Sequence, residues 1–414
     1  MRKNLLLLSI GLMLLMVFPC PTGAMEVTGA LNNDGLTLMK KTDLTTDHFY
    51  LRFSPWLSAD LHANKVWGIK EAYGDWEFGP LSLSLGRKIL TYGPGRNGHL
   101  ILGPLGTGLT AEGYDQLAYH LQWRTFNYHK FYALVPETGK QALLGQRITY
   151  DFGPFTFGFT ETALLNNRAP WFFYLPLPLI PVYAYQHLGI SVSDTPNLNS
   201  TANILMAADL VWRPNPNCQV YLEYLADDQP GMEFKNGKLA FAAPDDNPWR
   251  IGCQGGIEWR RPFNLEALEF YADYTLIAQF TYTGLNQDLT YTYQDRLIGD
   301  PLGPDAERLN LELVYNPSPS RRWNFAFNRE RHGEGELGDK WVHTEGQTLV
   351  FLTGIIETTT TVKIAATKFY PNYELTLAGG LSVVKNQDHQ QGKTGYLPTF
   401  NLQTTWKNLR LVTQ

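Results

Sequence analysis

Apolar and polar side chains alternate with a period of two along many short segments of the chain. In one segment Asp209 and Arg213 alternate with Leu210 and Trp212, and the same pattern recurs from residue 268 and from residue 309. A period of two places alternate side chains on opposite faces of a β-strand. Because charged residues occupy one face and aliphatic or aromatic residues the other, the pattern predicts strands between water and an apolar medium.

The N-terminal residues carry a different pattern. Two basic residues precede an almost unbroken apolar run from Leu5 to Phe18, and a stretch of small residues follows. This arrangement is typical of a cleaved secretory signal peptide and is too short for a stable membrane anchor. We therefore expect residues 1–24 to be a signal peptide and residues 25–414 to form a single exported domain.

Short turn signals and longer polar links alternate between the strand segments. The sequences Asn215-Pro216-Asn217 and Asn316-Pro317-Ser318-Pro319 are typical turns. In transmembrane barrels such short turns lie at the periplasmic end and the long loops lie outside the cell. At roughly 22 residues per strand with its connections, the chain predicts an all-β fold, a transmembrane antiparallel β-barrel of about 16 to 18 strands. The long links run over residues 227–248, 284–306, 331–345 and 386–395.

Composition favours this barrel over a soluble β-sandwich. The hydrophobic fraction is an ordinary 44%, yet aromatic residues reach 13%, as expected if aromatic girdles mark two membrane interfaces. Removing residues 1–24 deletes two basic and no acidic residues, which changes the formal net charge from −5 to −7. An acidic chain argues against a nucleic-acid partner. We expect the cell outer membrane as the location and membrane lipid as a partner, and the oligomeric state stays open.

Two segments break the strand pattern. Residues 92–108 are rich in glycine and proline, and residues 168–185 contain repeated prolines among apolar residues. Repeated proline removes backbone donors that a central strand needs, and it also breaks helices. We interpret both segments as inserted loops that fold into the lumen or pack at its rim and constrict the pore.

The first of these loops contains the letters of a dinucleotide-binding fingerprint, Gly93-Pro94-Gly95-Arg96-Asn97-Gly98. The residues that follow cannot open the helix whose N-terminus would hold a pyrophosphate. We therefore favour a fixed loop over a nucleotide site. Candidate anion or sugar contacts in and beside it are Arg87, Lys88 and Arg96.

The sequence contains no recognisable hydrolase elbow, zincin motif or paired Cys-x-x-Cys set. We expect no enzymatic activity, no metal and no cofactor. Spacing alone leaves His120 or His187 open as part of a Ser-His site, but a hydrogen-bonding role in the lumen is favoured. Cys218 and Cys253 face outward in the alternation and are offset by roughly 13 Å in simple register, which predicts free thiols facing lipid.

Charged residues fall on the predicted inward faces of neighbouring strands. They can form a salt-bridge lattice that stabilises a filled barrel, which we favour, or a selectivity ladder for a solute. These lumen residues are Glu223, Arg250, Glu258, Arg260, Glu269, Asp273, Arg308 and Glu312.

Two stretches resemble the capsule-assembly Wzi family of outer-membrane proteins. One is Gly86-Arg87-Lys88 followed by Tyr92-Gly93-Pro94-Gly95 and Leu100-Ile101-Leu102, and the other pairs residues 208–212 with residues 220–228. The resemblance implies an 18-stranded barrel, so we prefer 18 within the range of 16 to 18. It also implies an occluded lumen and a barrel that holds exported capsular polysaccharide on the cell surface in a lectin-like way. Two features depart from the family: the segment from Met25 to Thr46 is too short for a periplasmic helical bundle, and the sequence lacks a terminal aromatic residue.

Polysaccharide contacts would lie in extracellular loops that combine aromatic rings, which stack on sugars, with planar polar groups, which bind hydroxyls. Ordinary solvated loops are the alternative. Two other functions also stay open: a diffusion porin or sugar-selective channel, and, less favoured, an outer-membrane hydrolase. The predicted polysaccharide contacts are Tyr282, Tyr291 and Tyr293 in one loop and Asp227, Asp228 and Trp249 in another.

Overall fold

The computed structural model describes most of the chain, and within the described part it contains 22 β-strands and three short 3₁₀-helices. No helix in this part is long and apolar enough to span a bilayer. The predicted second inserted loop, residues 168–185, and residues 1–23 of the predicted signal peptide lie outside the described residues. The described residues are 24–60, 67–137, 140–166, 202–228, 232–235, 238–241, 249–284, 289–339 and 350–407.

Eighteen strands form one sheet, and four short strands form two separate hairpins. In chain order the strands are β1 (Ala24–Asn32), β2 (Gly35–Thr45), β3 (Phe49–Asp60), β4 (Trp67–Phe78), β5 (Leu81–Lys88), β6 (Tyr114–Trp123), β7 (Phe126–Leu134), β8 (Ala142–Phe152), β9 (Phe155–Leu165), β10 (Ala202–Asn215), β11 (Cys218–Asp228), β12 (Met232–Lys235), β13 (Lys238–Phe241), β14 (Arg250–Arg260), β15 (Leu268–Ile277), β16 (Thr292–Tyr293), β17 (Arg296–Leu297), β18 (Ala306–Ser318), β19 (Arg321–His332), β20 (Glu357–Phe369), β21 (Tyr373–Lys385) and β22 (Thr394–Lys407). The 3₁₀-helices are Gly108–Thr110, Pro262–Asn264 and Gln387–His389.

The 18-stranded sheet closes on itself as an antiparallel barrel. The hairpins β12–β13 and β16–β17 lie in loops, so β11 pairs with β14 and β15 with β18. The last strand, β22, pairs with β1 from Glu26↔Lys407 to Asn32↔Asn401. Closure leaves no unpaired sheet edge, which a barrel in lipid requires. The predicted fold and its preferred strand number are confirmed.

Apart from the two-residue β1–β2 turn, the short turns and the long loops lie at opposite ends of the barrel. The turns after β4, β8, β10 and β18 span two residues each, while the loops after β5, β9, β11, β15 and β19 are much longer. We call these the short-turn end and the long-loop end. Residues 24–45, where the resemblance would place a helical bundle, form β1 and β2, and both Ala24 and Lys407 lie at the short-turn end.

The outward face of the barrel is aliphatic at the strand centres and aromatic beside the short turns. Leu222 and Val362, in the middle of their strands, are 62% and 51% exposed. Trp123, Phe152 and Phe263 lie next to short turns and are even more exposed. This arrangement matches the apolar band and aromatic girdle of transmembrane barrels.

Cys218 and Cys253 are free, as predicted, and lie on the outward face of neighbouring strands. Cys253 pairs with Tyr224, which is six positions beyond Cys218, so the offset is about 20 Å at ~3.4 Å per residue. The predicted offset of roughly 13 Å was wrong. Pairing of β11 with β14 starts at Arg250 and includes a register shift after Ala226, which the symmetric counting of the loop did not anticipate.

Candidate functional site

The loop between β5 and β6, residues 89–113, crosses the lumen, and we call it the plug. Counted in order round the barrel, β18 is nine strands from β5 in both directions, so the two strands are diametrically opposite. Arg96 of the plug donates to Glu312 on β18 at 3.0 Å, and its guanidinium lies 3.5 Å over the ring of Tyr271. Asn97 donates to Asp273 on β15. The prediction that this segment constricts the lumen is confirmed.

The centre of the plug is fully buried. Leu100, Ile101 and Leu102 are each 0% exposed and belong to one hydrophobic cluster that also includes Leu143 and Leu205 from the barrel wall. Three consecutive buried aliphatic residues have apolar neighbours on all sides, unlike a strand with one wet face. The plug is therefore packed as a core against the wall formed by β6 to β11.

Glycines let the plug backbone approach the wall. A Cβ on Gly98 would overlap the side chains of Asp300 and Arg308, and a Cβ on Gly93 would overlap the carboxylate of Glu223. Asp300 and Arg308 form a buried ion pair at 2.8 Å. The fingerprint letters thus reflect close contact with the wall, and the fixed-loop interpretation is supported because no helix opens after Gly98.

Tyrosine hydroxyls hold the plug by its backbone. Tyr282 donates to the carbonyl of Leu100 at 2.6 Å, Tyr291 to that of Ile101 at 2.9 Å, and Tyr114 to that of Gly103 at 2.7 Å. We call Tyr114, Tyr282 and Tyr291 the tyrosine clamp. Burial raises the pKa of Tyr282 and Tyr291 well above the ordinary value, so both phenols stay protonated and keep their donor protons.

Three of the predicted polysaccharide contacts are buried in the structure. Tyr282, Tyr291 and Tyr293 are each 0% exposed, and Tyr293 packs edge-on against Tyr114 at 5.1 Å between ring centroids. A ring without an exposed face cannot stack on a sugar in this conformation. The residues sit in a polar loop, which suggested a solvated position, but the loop folds inward and uses its rings to cover the plug.

The polysaccharide contacts predicted in the second loop have different surroundings. Asp227 is buried, and its carboxylate accepts a hydrogen bond from the backbone N–H of Tyr282, so it positions the loop. Trp249 is half-buried at the long-loop end, and its indole N–H has no hydrogen-bond partner among the described residues. The side chain of Asp228 lies outside the described part. The predicted polysaccharide contacts of Trp249 and Asp228 stay predictions.

The basic residues predicted to bind anions already have acceptors. Arg87 donates to Asp115 at 2.8 Å, and Lys88 lies 2.8 Å from Asp75. Arg250 is buried and donates to the carbonyl of Thr283 at 3.0 Å. Cations that already have acceptors favour a stabilising lattice over a ladder for solutes.

The predicted acidic lumen residues have less regular surroundings. Glu223 is 3% exposed and lies against the plug at Gly93, and neither of its carboxylate oxygens has a hydrogen-bond partner among the described residues. Glu258 lies opposite Gln219 and Tyr271 on the inward face of the wall. The pattern correctly placed both on the inward face, but it could not identify their neighbours.

The opposite half of the wall is nearly uncharged towards the long-loop end. Its inward residues on β1 to β3 and β20 to β22 form cross-strand hydroxyl pairs, including Thr361 with Ser382 at 2.7 Å and Thr37 with Ser58 at 3.1 Å. We call this surface the hydroxyl wall. The sequence does not single it out, because threonine and serine alternate with apolar residues in any barrel. It consists of Thr28, Thr37, Ser58, Thr361, Ser382, Thr399, Asn401 and Gln403.

A cavity of about 960 Å³ separates the hydroxyl wall from plug residues 107–110, and we call it the wall cavity. A second cavity of about 360 Å³ adjoins it, and Lys363 on β20 lines both. Cavities of roughly 300–1,000 Å³ are typical of small-molecule sites. The plug therefore packs against β6 to β11 on one side and leaves these two cavities on the other.

A third cavity, of about 510 Å³, is lined by His120 and His129, whose ring centroids are 6.2 Å apart. Among the described residues no serine hydrogen-bonds to His120, and no group of three or more His, Cys, Asp or Glu could hold a metal ion. His187 lies outside the described residues. The side chains that line this cavity can form hydrogen bonds and ion pairs.

Comparison with known structures gives the same architecture. Wzi of Escherichia coli, described as an outer-membrane carbohydrate-binding β-barrel involved in group 1 capsule assembly, matches with a TM-score of 0.65 at 12% identity, covering 98% of this chain and 88% of that one. OccK11 (OpdR) of Pseudomonas aeruginosa matches with a TM-score of 0.53 at 7% identity, covering 94% and 96%. OccD3 (OpdP) of the same organism gives 0.53 at 8% identity, covering 94% and 91%.

These low identities establish the fold alone. The comparison with curated proteins finds no match. The family model named capsule assembly protein Wzi matches residues 186–396, which is half of the chain. That span includes β10 to β21, and hence the loop that carries Tyr282 and Tyr291 of the tyrosine clamp. With this match and the closed 18-stranded barrel, the chain belongs to the capsule assembly protein Wzi family.

Proposed function

We propose that this protein resides in the outer membrane, with its long-loop end outside the cell, and that it binds and retains exported capsular or other surface polysaccharide there. Family membership supports a role in capsule assembly. The carbohydrate binding described for the similar E. coli barrel supports a saccharide as the ligand. The apolar outward band supports a lipid surrounding.

The plug is the observation that carries the proposal. A barrel of about 18 strands encloses a lumen wide enough for an aqueous channel. Here one segment crosses the full diameter and is held at its far side by Arg96 and Asn97 and along its length by the tyrosine clamp. A barrel that uses so many buried hydrogen bonds to fill its own lumen is better suited to binding a ligand at its mouth than to passing solutes.

The retention assay compares cells that lack the gene with their parent. Surface polysaccharide that stays with the cells and polysaccharide released into the medium are measured separately. We expect the released share to rise while the total stays level, because export continues when the surface receptor is absent. Restoring the gene on a plasmid should return the ratio to the parental value.

Two results would contradict the proposal. An unchanged ratio of bound to released polysaccharide means that this barrel does not retain the polymer. A fall in total polysaccharide with an unchanged ratio indicates a role in synthesis or export instead. Replacement of Trp249 by alanine then tests the predicted loop contact, with a lowered bound share as the expected result.

A further inference from the structure

The wall cavity has the chemistry of a saccharide site. Hydroxyl and amide side chains both donate and accept hydrogen bonds, as sugar hydroxyls do, and Thr399, Asn401 and Gln403 present them in alternate positions along β22. Apolar groups are also present, since Leu397 is 51% exposed and lines the same cavity. Apolar patches beside a few convergent polar groups are typical of small-molecule sites.

Lys363 is the exceptional residue of this surface. It lies in the middle of β20 between Ala326 and Gly380 and has no hydrogen bond or ion pair among the described residues. The other basic residue of the wall cavity, Arg296, donates to the carbonyl of Leu105 at 3.1 Å and lies 4.0 Å from Glu112. Lys363 is thus the cation of the cavity that is not already held by an acceptor in the described part of the chain.

The acidic residues nearest to Lys363 are engaged elsewhere. In the adjoining cavity, Glu312 accepts from Arg96 and Asn324, and Glu330 accepts from Asn328 at 3.1 Å. The acidic residue that lines the wall cavity is Asp34, which lies in the β1–β2 turn at the long-loop end. An unpaired ammonium group beside hydroxyl and amide groups is an arrangement that binds a sugar carrying a carboxylate.

We propose that the wall cavity is a saccharide subsite and that Lys363 makes it selective for sugars that bear a carboxylate, such as uronic acids. This proposal rests on the proposed function and gives its ligand a chemical class and a position. The hydroxyl wall binds sugar hydroxyls, while Lys363 pairs with the carboxylate. A charge-assisted contact in this partly wet site contributes about a tenfold preference for the charged sugar over its neutral form.

The test uses the purified full-length barrel and two probes that differ in charge alone. Oligogalacturonate and its methyl ester, in which a methyl group replaces the negative charge of each carboxylate, are titrated calorimetrically at low ionic strength into the wild type and Lys363→Met. We expect the wild type to bind the acid about tenfold more tightly than the ester. Lys363→Met should lose this preference and keep its affinity for the ester. Lys393→Met is the matched control, because it removes an exposed lysine at the long-loop end that does not line the wall cavity.

Each contrary result has a defined meaning. Equal binding of the two probes by the wild type, or an unchanged preference in Lys363→Met, overturns the proposal. Absence of binding by both probes also overturns it. Cells that express Lys363→Met separate this failure from that of the proposed function. If they retain polysaccharide like the parent while the deletion strain releases it, retention stands and the role of Lys363 does not.

Discussion

Removal of two hydroxyl groups from the tyrosine clamp should unlock the plug. In the double variant Tyr282→Phe, Tyr291→Phe, the rings stay in place, but the carbonyls of Leu100 and Ile101 lose their donors at 2.6 and 2.9 Å. A buried acceptor left without its donor costs about 1–3 kcal/mol. The two rings stack at 6.0 Å, so their effects do not simply add. We expect the two substitutions together to destabilise the attached plug by about 2–4 kcal/mol.

This free energy translates into a large change in the population of the detached plug. At about 1.4 kcal/mol per factor of ten, the detached fraction rises roughly 30- to 700-fold. Conductance recordings of single barrels in planar bilayers measure the detached fraction directly. We expect the wild type to be nearly silent and the double variant to show brief openings, because a detached plug leaves a wide lumen. Tyr396→Phe is the control, since Tyr396 is 67% exposed on the outward face.

The same variant separates two roles for these tyrosines. A ring that stacks on sugar works equally well as phenylalanine, whereas the clamp requires the hydroxyl group. A double variant that is as silent as the wild type, with an unchanged melting temperature, would refute the clamp. A loss of polysaccharide binding without openings would instead indicate that the two hydroxyl groups contact the polysaccharide.

Three further outcomes follow from the packing around the plug. Gly98→Ala should raise channel activity and lower the melting temperature, because its Cβ overlaps the Asp300–Arg308 pair. Gly379→Ala should do neither, because its Cβ would lie 3.9 Å from its nearest neighbour, the carbonyl oxygen of Thr399. Arg308→Met should lower the free energy of unfolding by about 3–5 kcal/mol in denaturant titrations, since it leaves the buried Asp300 carboxylate unpaired. Burial lowers the pKa of His99 below 6.5, so the unfolded chain binds a proton at this histidine before the folded protein does as the pH falls. The contribution of His99 to stability is therefore complete above about pH 6.5 and declines below it. His99→Gln should reduce the drop in melting temperature between about pH 7.5 and pH 5.

Each of these outcomes has a clear opposite. A silent and fully stable Gly98→Ala variant would mean that the plug is not in contact with the wall at this point. A stability loss in Arg308→Met no greater than that of an exposed arginine would mean that the ion pair is not buried. An identical pH dependence in His99→Gln would show that other groups account for the acid sensitivity.

The sequence was sufficient for the barrel and for the plug. Both follow from local rules: a period of two predicts which face of each strand is wet, and proline with glycine in residues 92–108 excludes a strand or a helix. Chain length and turn spacing predict about 16 to 18 strands, and the family resemblance selects 18. The outward position of Leu222 and the inward position of Glu223 could therefore be predicted from the alternation alone.

The site could not be predicted in the same way, because its residues meet across the lumen. Tyr282 contacts Leu100, which is 182 positions away, and no local pattern signals that pairing. Its loop looks solvated because polar residues surround it. Lys363 likewise looks like an ordinary barrel lysine until the partners of its neighbours are known. Asp300 and Asp115, the ion-pair partners of Arg308 and Arg87, were missed because the alternation does not assign partners to charged residues.

The pairing of β22 with β1 has a consequence for how the molecule folds. It brings together Thr28 and Thr405, which are 377 positions apart, whereas the other barrel strands pair across much shorter connections. Closing such a span costs about 3 kcal/mol more in chain entropy than closing a connection of about 10 residues. This seam is therefore expected to form late. An intermediate that has not closed it exposes two strand edges and is the species at greatest risk of pairing with another copy.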